Sequence, residues 1–174
     1  MREITLQEAA KLAATARGRI NRIYLHWTAG HYATTYDDYH LNITGDGELH
    51  ASCDDLTDYK EHTWHRNGGA IGISICCCFD AVAYADGSVN FGDEPPTQQQ
   101  IEKLARVVGV LCKELELPVN DNYVITHAEA ADLDDYGPSS TFERWDLWKL
   151  DDDEGELCDG GELIRSKARA YQQG

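Results

Sequence analysis

The stretch IYLHWTAG, residues 23–30, reads as a buried strand that ends in a tight turn. Ile23, Tyr24 and Leu25 favour extended backbone, and Thr28-Ala29-Gly30 breaks it. At the strand's end, where the chain leaves the core, stands His26. A histidine in that position is either a polar terminus or a ring held for a purpose. A second segment has the same form: YVIT, residues 123–126, is a short apolar run followed by His127. If the two strands are neighbours in one sheet and run the same way, both imidazoles emerge at one edge, where sites in α/β sheets gather.

The remaining chain supplies a setting for that pair. Thr5-Leu6-Gln7-Glu8 is a capping box opening a helix to about Ala14. A strand covers about Asn21 to Trp27, and residues 28–38 form a loop. YHLNITGDGELH, residues 39–50, holds two short alternating runs joined by Gly45-Asp46-Gly47, a hairpin. Residues 54–69 are polar and irregular. AIGISICCCFDA, residues 70–81, is nearly continuous in apolar character and predicts a central strand. A loop over 84–96 precedes a second capping box, Thr97 to Gln100, and a helix to about Leu115. Its apolar face carries Ile101, Leu104, Val108, Leu111 and Leu115. Residues 128–145 read as a long loop, 150–162 as a solvated acidic linker, and 161–171 as a last helix. The order of elements predicts an α/β fold, a single domain over 1–174 with a mixed central β-sheet flanked by helices.

Composition narrows the function. At 174 residues, 42% hydrophobic and 26% charged, the chain has the means for one proper core. A net charge of −16 argues against nucleic acid, whose phosphates demand Lys and Arg. No apolar run reaches the ~20 residues of a membrane span, so no membrane insertion is expected. The amphipathic N-terminus does not read as a Sec-type signal peptide, so work outside the cytoplasm would need another means of delivery. The six cysteines include Cys76, Cys77 and Cys78 in succession. Without CxxC spacing they are expected to be reduced, buried and hydrophobic, with Cys76 and Cys78 sharing a strand face.

A third ligand candidate, Asp146, lies in FERWDLW, residues 142–148. Two histidines and one carboxylate leave a fourth position open on zinc, the catalytic rather than the structural arrangement. Spacing alone leaves the metal site and the plain polar terminus both open.

The chain resembles the zinc-dependent N-acetylmuramoyl-L-alanine amidases, the amidase-2 family that includes phage-lysozyme-type amidases and peptidoglycan recognition proteins. The resemblance rests on ordered pieces over roughly residues 20–150: IYLHWTAG, YHLNITGDGELH, HTWHRNGGAIGISI, TQQQIEKLARVVGVLCKEL, YVITHAEAA and ERWDLW. It implies Zn2+ held by His26, His127 and Asp146, and cleavage of the amide between N-acetylmuramic acid and L-alanine by zinc-assisted water attack. Tyr39 matches a tyrosine beside the metal in phage-type members, which orients the water or helps proton transfer. Arg144 sits where the family usually has an oxyanion-stabilising lysine. Its planar fork differs in reach and geometry. Where some branches carry a glutamate base, this chain offers Ser74.

Further candidates carry two readings each. His65 lines the groove or packs on Trp64. Trp27 begins the groove wall. Glu129 is a partner or substrate contact, or a solvated acid. His31 and His40 read as surface or strand residues, His50 as structural, and Trp145 and Trp148 as core anchors. The resemblance implies peptidoglycan or free muropeptides as partner, met by a monomer that is made in the bacterial cytoplasm and acts on the wall after release or secretion, as a phage or prophage endolysin does. A recycling amidase or a secreted effector would look alike. The competing function is a non-catalytic peptidoglycan-binding module of the same fold.

Overall fold

In the computed structural model, which describes residues 1–174, the sheet has six strands in the order β1-β4-β3-β5-β2-β8. These are β1 (Arg2–Glu3), β2 (Arg22–Trp27), β3 (Leu41–Ile43), β4 (Leu49–Ala51), β5 (Ala70–Ile75) and β8 (Val124–Thr126). β2 lies between β5 and β8 and is parallel to both; β3 is parallel to β5, while β4 is antiparallel to β3 and to β1. The helices α1 (Leu6–Ala16), α2 (Gln98–Leu115) and α4 (Gly160–Gln173) complete an α/β fold with a mixed sheet. Both capping boxes read from the sequence are formed, at Thr5 and Thr97.

Strand alternation divides the molecule into two faces. Ile23, Leu25 and Trp27 of β2, with Ile71, Ile73 and Ile75 of β5, enter one large core with Leu104, Val108 and Leu111 of α2 and Ile164 of α4. Tyr24 and Ala70 belong instead to a small cluster with Ile125 and Ala130. His26 and Gly72 share that second side, covered by the 54–69 excursion. A Cβ on Gly72 would lie 2.6 Å from the His62 ring, so glycine there lets the excursion settle onto the strand.

Several local expectations are corrected. β5 stops at Ile75, and Cys78 takes a left-handed φ of 71°, so the three cysteines follow the strand and share no strand pleat. They are nevertheless buried and free, as their small apolar side chains allow. Within the loop after them, β6 (Val82–Ala83) and β7 (Val89–Asn90) pair as a short hairpin. The acidic stretch is not merely solvated: β9 (Lys149–Asp151) and β10 (Leu157–Asp159) form a second hairpin, with Gly155 at φ 82° in its turn. Asp159 then caps α4. Finally, His127 does not open a long loop; it is the first residue of α3 (His127–Leu133).

Candidate metal centre and groove

The pairing of β2 with β8 brings the two histidines together. Leu25 is in register with Thr126, so the residues after each leave the sheet side by side. Thr126 caps α3: its hydroxyl accepts the Glu129 N–H at 3.1 Å, and the Glu129 carboxylate accepts the Thr126 N–H at 2.9 Å. This T-x-x-E box stands in the sequence at 126–129 and was the available signal for the helix. It fixes His127 at the point where strand becomes helix.

Asp146 arrives from a distant segment. The Ala128 N–H donates to the Asp146 carbonyl at 3.2 Å. Flanking anchors hold the segment down: Leu147 is fully buried, and Trp145 packs edge-on against Trp27 with ring centroids 5.1 Å apart. The result is a compact donor set. His26 Nδ1 lies 3.1 Å from His127 Nδ1 and 3.2 Å from Asp146 Oδ2, and His127 Nδ1 lies 3.2 Å from Asp146 Oδ1. All three residues are buried.

Electrostatics favour a cation among them. Burial drives the His26 imidazole down to about 4, so it is neutral at pH 7. Burial pushes the Asp146 carboxyl up, but the two imidazoles facing it outweigh that and hold it well below the ordinary carboxylate range. Two imidazoles that face each other through the same nitrogen compete for one proton, whereas a divalent cation satisfies both lone pairs and the carboxylate together. Two nitrogens and one oxygen, converging below a groove, fit a three-ligand metal site with room for substrate.

A cleft of about 690 Å³ opens over His127, His62 and Arg144, walled by Trp64, His65 and Tyr136. A second lobe of the groove continues over Asp146 and Tyr39 to Trp27 and Cys78. The Tyr39 ring centroid is 5.0 Å from that of His26. Burial, with Asp146 adding to it, raises the Tyr39 phenol, so it keeps its proton at neutral pH. Arg144 is exposed, borders both lobes, and donates to its neighbour's carbonyl, Glu143 O, at 3.0 Å. His65 stacks on Trp64, with ring centroids 3.9 Å apart, and lines the cleft. Trp27 is a buried wall residue between Trp145 and Phe91.

The reading of Glu129 as a groove contact is corrected. Its two carboxylate oxygens accept from Arg165 of α4 at 2.8 and 2.9 Å, besides capping α3. Arg165 is buried, and Gly161 has no Cβ where one would come within 2.3 Å of the carboxylate. Glu129 therefore clamps α3 to α4. His40 is also other than a surface residue: it is fully buried, accepting the Gly72 N–H at Nδ1 and donating to the Asp58 carbonyl from Nε2.

Two residues escaped the sequence reading. Thr63 Oγ1 lies 3.3 Å from His26 Nε2, and the Tyr136 hydroxyl lies 3.4 Å from His127 Nε2. Both come from irregular segments where no periodicity marks them.

Residues 16–140, most of the chain and its whole six-stranded sheet apart from β1, match the family Amidase_2, N-acetylmuramoyl-L-alanine amidase. The chain belongs to this family. No curated protein matches it. The matched residues include His26 and His127; Asp146 and Arg144 lie just beyond them, and Asp146 joins the two histidines by the distances above.

Proposed function

We propose that the protein is a zinc-dependent peptidoglycan hydrolase that cleaves the amide joining N-acetylmuramic acid to L-alanine. The observation that carries this reading is the convergence of His26, His127 and Asp146 at the floor of an open groove in an amidase-family chain.

His26 and His127 would hold the metal through Nδ1, and Asp146 through its carboxylate. Bound there, zinc would supply a Lewis acid for the lactyl carbonyl and acidify a water. The chain's own residues do the rest. Tyr39, protonated and at the rim, donates a hydrogen bond that orients the attacking water. Arg144, whose guanidinium donates to the Glu143 carbonyl, offers its charge to the negative charge developing on the carbonyl oxygen. Water adds its hydroxyl to the carbonyl carbon, the C–N bond breaks, and the L-alanine nitrogen leaves with the proton. Trp64, His65 and Tyr136 offer aromatic faces to the rest of a muropeptide.

The wider role proposed, wall lysis by a phage or prophage endolysin acting as a monomer, rests on family resemblance. A non-catalytic binding module would not need all three donors, the protonated tyrosine and the arginine in one groove. Digestion of purified sacculi tests the reading, with mass spectrometry of the soluble products. Peptides with a free L-alanine amine, absent with chelator and restored by zinc, are expected. Protein bound to intact walls would favour the binding module.

A further inference from the structure

We propose that Thr63 is a positioning residue for His26, fixing the ring tautomer that frees Nδ1 for a metal; this rests on the metal-site reading above. His26 is buried and engaged at both nitrogens. Nδ1 faces His127 and Asp146, and Nε2 faces Thr63 Oγ1 at 3.3 Å. A nitrogen that binds a metal must carry a lone pair, so the ring proton belongs on Nε2, where an acceptor is needed. Thr63 is that acceptor.

The Thr63 hydroxyl oxygen also lies 2.9 Å from His62 Nδ1. With one lone pair taken by His26 Nε2–H, the hydroxyl keeps its hydrogen and a second lone pair, so it accommodates His62 in either tautomer; the other ring nitrogen of His62 is Nε2. That atom is buried and has no partner. Buried polar atoms without a partner are few in folded proteins.

The segment is built to hold that hydroxyl still. Asn67 Oδ1 accepts both the His62 and Thr63 N–H groups, at 3.1 and 2.8 Å. Arg66 grips Asp134 with two hydrogen bonds, at 2.7 and 3.0 Å, which ties the segment to the end of α3. Gly72 leaves room for the His62 ring. Orienting partners of metal-binding histidines are commonly carboxylates or carbonyls; here the partner is a hydroxyl.

The test compares the parent with Thr63→Val, which keeps the shape without the acceptor, and Thr63→Ser, which keeps the acceptor. Zinc affinity is measured by competition with a chromogenic chelator. Valine should weaken binding roughly 10–100-fold, and serine should restore it to within about threefold. Ring 15N spectra of the zinc-loaded parent should place the His26 proton on Nε2. Equal affinity in a folded Thr63→Val protein would overturn this inference alone. A His26 proton on Nδ1 in the zinc-loaded parent would overturn it even if the valine variant failed to fold. A parent that binds no zinc would overturn it together with the metal-site reading.

Discussion

His26 Nδ1 and His127 Nδ1 lie 3.1 Å apart, although 101 residues separate them in the chain. Parallel pairing of β2 and β8 makes the contact, because Leu25 and Thr126 are in register and each histidine follows its strand partner. Nothing but Asp146 stands within hydrogen-bond reach of both nitrogens. Asp146→Asn keeps the shape and removes the anionic donor. Zinc affinity should fall by more than the roughly 10–100-fold that outer partners contribute. Retention of parental affinity in the same chelator competition would remove Asp146 from the site.

Tyr39→Phe separates the hydroxyl from the ring. The ring that packs near His26 remains, so zinc affinity should stay within a fewfold of the parent. Turnover of a soluble muropeptide should fall by about 10²-fold, the lower range for a positioned proton donor or acceptor. Unchanged kcat would leave Tyr39 as packing only.

Arg144→Ala should lower kcat by about 10²-fold, the loss expected for one oxyanion donor. Arg144→Lys keeps the cation but not the planar fork, and should recover most of that activity. Equal kcat for alanine and arginine would show that the charge does not reach the reacting carbonyl.

Glu129 predicts stability rather than turnover. Breaking its pair takes both short carboxylate contacts from Arg165, which is buried and keeps only Glu162 at 3.4 Å and the Val124 carbonyl at 3.0 Å. Glu129→Ala should cost about 3 kcal/mol of unfolding free energy, the lower range for a broken buried pair, because Glu129 is partly exposed. Urea denaturation measures this. A cost within experimental error would mean that α3 and α4 are held by other contacts.

A pH dependence follows from His40. Burial lowers its pKa, and the Gly72 N–H points at Nδ1, so a proton there would set donor against donor. The unfolded chain, with histidine near 6.5, then binds more protons than the folded one as pH falls below that value. The contribution of His40 is complete above about pH 6.5 and is lost as pH drops toward its lowered folded value. In metal-free protein, the stability gap between the parent and His40→Asn should shrink from pH 7.5 to about 5.5. A gap independent of pH would contradict this.

The sheet was legible because its signals are local. The apolar run at 23–25, the Gly-Asp-Gly turn at 45–47 and the capping box at 97–100 each specify one element without help from the rest. His26 and His127 were legible for the same reason, as polar ends of apolar runs. The helix at 127–133 was missed although its capping box was present, because seven residues show little periodicity. The fate of Glu129 depends on Arg165, 36 positions away, and no local pattern pairs them. Thr63 is harder still. It lies in a segment without regular structure, and its neighbour across the sheet is fixed by Gly72, Asn67 and Arg66 acting together.

The most direct test of the account is a zinc titration into chelator-stripped protein, with cleavage of the muramyl–L-alanine amide followed at each addition. Activity should be absent at the start and rise to a break at one equivalent of zinc per chain. The same titration of Asp146→Asn should stay flat through that point. Full amide cleavage by the stripped protein, before any zinc is added, would contradict the central claim.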